Sequence, residues 1–218
     1  MRARRTAAIA LLVTALAAGC GSGSGGKQPV AIVDGATSSG TLAGDLLQPP
    51  TREPALALED TENKSYDLRK ATAGKIVLVY FGYTHCPDVC PTFMADIAQA
   101  LRESTATVRS HVAVVFISVD PKRDSATVIR RWLDHFNQTF VGLRGSISQI
   151  LAVQHAMAVP VSPVRPQSTH GYTVEHSAEL LAFSPDHKAH VLYLEGPTTI
   201  SDLRHDLGVM VATKMWGA

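Results

Sequence analysis

Apolar positions along this chain switch between two periods. Ile76-Val77-Leu78-Val79-Tyr80-Phe81 is an unbroken apolar run rich in β-branched and aromatic residues, the pattern of a strand buried on both faces. Val112 to Val119 repeats it. Between the two runs, Phe93, Ile97, Ala100 and Leu101 recur at helical spacing and predict one helix from Cys90 to Val108. Ser125 to Phe136 predicts another, with Val128, Ile129, Trp132 and Phe136 as its apolar face, and Ser146 to Met157 a third with Ser146 as its N-cap. Upstream, Ala55–Leu58 and Ser65–Leu68 flank the polar Asp60–Asn63 and read as a hairpin. Downstream, Thr173-Val174, Leu180–Phe183 and Ala189–Leu194 read as strands, with Ser184-Pro185-Asp186-His187 turning the last two into a hairpin. Thr198 to Met215 closes the chain as a helix with Thr199 or Ser201 near its cap.

Strand–helix–strand–helix followed by a hairpin and a last helix gives an α/β fold. The expectation is a thioredoxin-like domain: a central mixed sheet, helices on both faces and an N-terminal β-hairpin extension. Right-handed crossovers place the two long apolar strands side by side.

The first fifty residues read differently. Arg2, Arg4 and Arg5 precede the apolar Ala7–Ala18, a run of about 12 residues that suits the apolar region of an export leader and is too short to span a bilayer. It ends in Leu16-Ala17-Ala18-Gly19-Cys20, which resembles a bacterial lipobox with Ala17 where Leu is more usual. In that pattern Cys20 is lipidated and becomes the first residue of the mature protein. Gly21–Gly26 and the Gly-, Ser-, Thr- and Pro-rich stretch to Pro50 suit a flexible tether. The expected organisation is a leader over 1–19, a tether over 20–50 and a thioredoxin-like domain over 51–218, held at the extracytoplasmic face of the cell membrane by the anchor.

Composition narrows the partners. Apolar residues make up 45% of the 218 and charged ones 18%, with a formal net charge of +1, so the domain can bury a core and carries no basic block to bind nucleic acid. Three cysteines less Cys20 leave Cys86 and Cys90. A disulfide between them would close a very short loop and add little stability, so a chemical role is favoured over a stapling one.

That pair sits in Phe81-Gly82-Tyr83-Thr84-His85-Cys86-Pro87-Asp88-Val89-Cys90-Pro91, between a buried strand and a helix. Unpaired N–H groups and partial positive charge at a helix N-terminus favour thiolate over thiol. Four residues apart on a first helical turn, the two sulfurs point the same way. They can form a redox disulfide or converge on one soft metal ion, copper(I) above all. Zinc fits the softness, but a structural zinc site wants four protein ligands. A third ligand for copper would come from a histidine on a later loop. The cysteine spacing does not choose among the nine, and His176, between predicted strands, is one that qualifies.

FGYTHCPDVCP at residues 81–91 resembles the defining motif of the SCO/SenC family of copper-binding thioredoxin-like proteins. Three further segments resemble it in order: Ile117-Ser118-Val119-Asp120-Pro121-Lys122-Arg123-Asp124, then Gly142-Leu143-Arg144-Gly145 with Arg144 for the usual Thr, then Tyr172-Thr173-Val174-Glu175-His176-Ser177 with Glu175 for Asp. The resemblance runs from about Thr51 to Ala218. It implies that Cys86, Cys90 and His176 are the copper ligands. It also implies delivery to the copper A centre in subunit II of cytochrome c oxidase, or to another extracytoplasmic copper protein. Asp120 and Asp124 would then border the site, though their own setting ahead of a helix also fits capping. Asp88, between the cysteines, would add negative charge toward a cation or a partner. His85 reads as shaping the loop, and His187 and His190 as solvated. The chain reads as a carrier rather than a classical enzyme. A thiol–disulfide oxidoreductase using Cys86 and Cys90 is the alternative, and a sensor ranks behind both.

Overall fold

The computed structural model describes residues 37–38, 42–55, 57–161, 163–167 and 171–216. The leader, Cys20 and most of the expected tether lie outside these residues. Eleven strands and six helices follow in chain order among the described residues. The sheet is built around β5 (Ile76–Gly82), β6 (Val112–Ser118), β10 (Glu179–Ser184) and β11 (Lys188–Leu194). The full strand order is β1-β2-β11-β10-β5-β6-β7-β3-β4, with β1 Thr37–Ser38, β2 Asp45–Arg52, β3 Ala57–Asp60, β4 Ser65–Asp67 and β7 Val141–Arg144. β5 and β6 run parallel and adjacent, with Tyr80 opposite Phe116, while β10 joins β5 antiparallel. All seven residues of β5 are buried, so both faces of the sheet are covered. The mixed sheet and its upstream β3–β4 hairpin meet the expectation from the apolar pattern.

Helices pack by the stripes that predicted them. In α2 (Val89–Glu103) Phe93, Met94, Ile97 and Leu101 are buried; in α4 (Ala126–Asp134) Ile129 and Leu133 are buried while Trp132 lies against Phe116. α5 (Ile147–Ala156) starts at a capping box made by Ser146 and Gln149, and α6 (Ile200–Ala212) at one made by Thr199 and Asp202. α1 (Leu68–Ala71) is a single turn.

Four expectations are corrected. The helix predicted from Cys90 to Val108 is two: α2 ends at Glu103, and α3 spans Ala106–His111. Ser104 turns its hydroxyl back to the Ala100 carbonyl at 2.7 Å, and Thr105 caps the new helix by accepting the Val108 N–H at 3.2 Å. Two hydroxyl residues in succession offer the backbone local partners that compete with helix continuation.

The sheet also begins ahead of Thr51. β2 starts at Asp45 and pairs with β11, and Leu42 and Leu47 are buried. Asp206 of α6, fully buried, anchors this segment by accepting the Ala43 and Gly44 N–H groups at 2.9 Å. Low local hydrophobicity hid a strand held by a distant carboxylate. Two short strands were not predicted either, β7 and β8 (Val164–Gln167), each four residues long. β8 pairs with β9 (Gly171–Val174) in a separate hairpin beside the main sheet.

Lastly, His187 and His190 are not simply solvated. His187 Nδ1 lies 2.7 Å from Oε2 of the buried Glu53, and His190 Nε2 lies 2.9 Å from Asp186 while its ring stacks on Trp216. Both carboxylates approach through tertiary contacts or the turn between β10 and β11.

Candidate metal centre

β5 delivers the chain to the site. It ends at Gly82, and the loop Tyr83–Asp88 leads into α2 at Val89. Cys86 therefore precedes the helix and does not share its first turn with Cys90, as the spacing had predicted. Its sulfur lies 3.4 Å from the Cys90 N–H, which donates to it. Asp88 holds the N-cap position but makes no side-chain cap bond and is exposed. The Cys86 sulfur thus takes the role a capping oxygen usually fills.

His176 comes from the loop between β9 and β10 and closes the cluster. Its Nε2 is 3.0 Å from Cys90 Sγ and 3.6 Å from Cys86 Sγ. The three donor atoms lie within 4.8 Å of one another. Nδ1 faces the Ser177 carbonyl at 3.2 Å. A carbonyl only accepts, so Nδ1 carries a proton, and Nε2 is the ring nitrogen turned to the sulfurs. Tyr83 and Tyr80 meet the imidazole edge-on, at 5.6 and 6.1 Å between centroids, and fix its plane.

The two thiols, both free, share a proton unequally. The hydrogen bond from Cys90 is the main reason that Cys86 is held down to about 4; burial opposes it, and His176 and the N–H groups of Asp88 and Cys90 assist. Burial and the neighbouring Cys86 sulfur push Cys90 far above the usual thiol range. The metal-free pair therefore carries one charge, on Cys86, and one proton, on Cys90, which an arriving cation must displace. A lowered thiol keeps its anion down to the folded value, so the thiolate ultraviolet absorbance of the reduced, metal-free protein is expected to persist through pH 6 and fade toward pH 4. Absorbance that appeared only near the ordinary thiol value of about 8.5 would contradict this.

Gly82 makes room for the site. A Cβ there would stand 2.9 Å from Cys90 Sγ, 2.9 Å from Phe116 and 3.0 Å from Tyr80. Gly82→Ala is expected to push Cys90 out of line and weaken metal affinity about tenfold or more. A chelator competition curve identical to wild type would show that the sulfur tolerates the methyl.

The carboxylates support the site from behind. Asp124 is fully buried and accepts from Thr84 Oγ1 at 2.6 Å, Thr84 N at 3.0 Å and Ser118 Oγ at 2.6 Å, tying the cysteine loop to the end of β6. Asp120, also buried, accepts from Tyr172 Oη at 2.7 Å and pairs with Arg123. Arg123 in turn lies 3.8 Å over the Tyr172 ring and donates to the Tyr172 carbonyl at 3.0 Å. These contacts latch the β8–β9 hairpin, and with it the approach to His176, onto the turn after β6. Ser125, not Asp124, caps α4, so the capping reading of Asp124 is corrected. His85 stays outside the cluster, half-exposed, with Nδ1 3.1 Å from Thr84 Oγ1. Thr84, Ser118, Arg123, Tyr172, Tyr80 and Tyr83 were not singled out in the sequence. Their roles depend on pairings across strands that no spacing reveals.

Two sulfurs and one imidazole form a soft donor set, and among the described residues no fourth histidine, cysteine or carboxylate joins it. That composition fits copper(I) better than a closed structural zinc site.

Comparison with known proteins agrees with this geometry. A Stutzerimonas stutzeri protein is 30% identical over 142 residues, covering 65% of this chain and 69% of its own length. The bovine mitochondrial SCO2 homolog is 37% identical over 114 residues, or 52% of this chain and 43% of that protein; the match spans less than half the length of such mitochondrial relatives. Among solved structures, Bradyrhizobium japonicum ScoI with copper bound superposes with a TM-score of 0.65 at 30% identity, covering 73% of this chain and 99% of that one. The solution structure of apo Sco1 from Thermus thermophilus gives 0.68 at 28% identity, covering 78% and 97%. The SCO1/SenC family itself matches residues 51–209. With its fold, its cysteine loop and its histidine arm in that arrangement, this chain belongs to the SCO1/SenC family.

Proposed function

We propose that this protein is a copper metallochaperone that holds copper through Cys86, Cys90 and His176 and passes it to the copper A site of cytochrome c oxidase subunit II, or to another extracytoplasmic copper protein. The observation that carries the reading is the convergence of two sulfurs and one imidazole nitrogen within 4.8 Å. Copper is cargo here. Cys90 is fully buried and Cys86 nearly so, while His176 is exposed to an intermediate degree, so the ion is held from inside and reached past the imidazole. Three protein ligands leave a position through which an acceptor sulfur or imidazole enters before a donor leaves. Such exchange moves the ion without releasing it to water. Family membership and the copper-bound state of the Bradyrhizobium structure support the choice of metal. Anchoring through lipidated Cys20 would keep the protein at the extracytoplasmic face, near a membrane-bound acceptor.

The test is oxidase activity and copper A content in a deletion strain carrying wild type, Cys86→Ser, Cys90→Ser or His176→Ala. Restoration by wild type alone supports delivery. Equal restoration by all four would reject it.

A second reading rests on the free thiols and the ionised Cys86. Cys86 thiolate would attack an acceptor disulfide, and Cys90 would then resolve the mixed disulfide. The acceptor gains two electrons from the pair, one proton from Cys90 and one from water, while Cys86 and Cys90 become a disulfide. Rescue of the deletion by a small thiol, but not by added copper, would favour this reading.

A further inference from the structure

The β8–β9 hairpin that leads to His176 forms a two-stranded sheet of its own, and among the described residues it has no ladder to the nine-stranded sheet. The Glu175 N–H closes it by donating to the Pro163 carbonyl at 2.9 Å. Downstream, His176 is tied to the main sheet through β10, which starts at Glu179. Upstream, something other than strand pairing holds the arm, and Arg123 is placed to do so. Its Nη1 donates to the Tyr172 carbonyl at 3.0 Å. Its Nε pairs with the buried Asp120, which also accepts from Tyr172 Oη at 2.7 Å. Its guanidinium lies 3.8 Å from the centroid of the Tyr172 ring and 5.5 Å from that of Tyr83. Tyr83 belongs to the cysteine loop, and its ring meets the His176 imidazole edge-on at 5.6 Å. One side chain therefore reaches both the arm ahead of His176 and the ring against which the imidazole rests.

We propose that Arg123 is a positioning residue for His176: its guanidinium clamps the histidine arm to the cysteine loop, and release of that clamp lets the imidazole leave the two sulfurs. The proposal rests on the copper reading above and deepens it. A planar guanidinium stacks on a ring while its N–H fork donates to a carboxylate and a carbonyl. An ammonium at the same place keeps the charge and loses both the stacking and the fork. The imidazole is also the ligand on the more movable backbone. Cys90 sits in α2 and donates its N–H to the Cys86 sulfur, whereas His176 stands on the loop between β9 and β10. Loosening the arm thus lengthens the histidine contact first and leaves the sulfurs in place. Arg123 neither ligates the ion nor moves a proton.

Arg123→Lys is compared with wild type, each alone and in a His176→Ala background. Copper per chain is counted, and release of copper(I) to a chelator is timed. The imidazole nitrogen coupling of the copper(II) form is read by electron paramagnetic resonance, and backbone amide exchange is followed in the metal-free protein. Expected are equal copper per chain, release about tenfold faster and a weaker nitrogen coupling. Exchange should quicken over residues 171–175 and stay unchanged in β5 and β6. In the His176→Ala background Arg123→Lys is expected to change release no further, because the group it positions is gone. Release at the wild-type rate would overturn the proposal. An equal acceleration with His176 absent would overturn it too, since that marks a general loosening of the fold. Should Arg123→Lys fail to fold, Tyr172→Leu removes the ring from the other side of the clamp and carries the same expectations and the same two refutations. Wild type that takes up no copper would overturn the copper reading itself, an outcome distinct from an unchanged release rate.

Discussion

Cys90→Ser is expected to abolish stable copper binding, with affinity falling more than about 100-fold, beyond the range usual for losing a residue that merely supports a ligand. The ion loses one of two soft donors, and serine oxygen is a poor substitute for a copper(I) ligand. Serine keeps a hydroxyl that can donate to the Cys86 sulfur, so the loss falls on the metal bond itself. His176→Ala should cost less, because it removes the harder donor and leaves both sulfurs in place. It also opens the path to Cys90, which His176 Nε2 approaches at 3.0 Å. Competition against a copper(I) chelator measures both variants. A Cys90→Ser protein that held copper as firmly as wild type would show that the metal does not reside between these three groups.

Asp124→Ala is expected to lower stability by roughly 3–5 kcal/mol and the melting midpoint by roughly 10 °C. The carboxylate accepts three hydrogen bonds, from Thr84 Oγ1, Thr84 N and Ser118 Oγ, in a fully buried position. Truncation strands those donors without water. Since Thr84 stands two residues before Cys86, the same change loosens the cysteine loop, and copper should dissociate faster from whatever folds. Asp124→Asn retains an acceptor oxygen and should lose less on both counts. Thermal unfolding of the metal-free protein, followed by copper release to a chelator, separates the two effects. Equal melting midpoints for wild type and Asp124→Ala would mean that the network is not what holds the loop.

Periodicity sufficed for elements whose stabilising contacts are local or face-wide. β5 and β6 are apolar at nearly every position because both faces are covered, and that leaves a continuous run in the sequence. α4 and α5 carry apolar stripes and serine caps that can be read without their neighbours. The break between α2 and α3 was hidden because the apolar spacing continues through Ser104 and Thr105, and two side-chain hydrogen bonds outweigh it. β2 was hidden because its pairing partner, β11, lies far along the chain. Glu53 beside His187 was likewise invisible, the two being 134 residues apart.

By itself the sequence determined the class of fold, the strand-to-helix placement of Cys86 and Cys90, and, through four ordered segments, the family and the candidacy of His176. Each of those depends on residue type and near-neighbour spacing. Only the tertiary structure decided that Nε2 of His176 closes on both sulfurs, that Cys86 lies ahead of the helix, and that Asp124 and Asp120 brace the two loops. Those facts come from segments tens of residues apart meeting at one edge of the sheet. Distances, burial and proton sharing there are set by packing, which spacing along the chain does not encode.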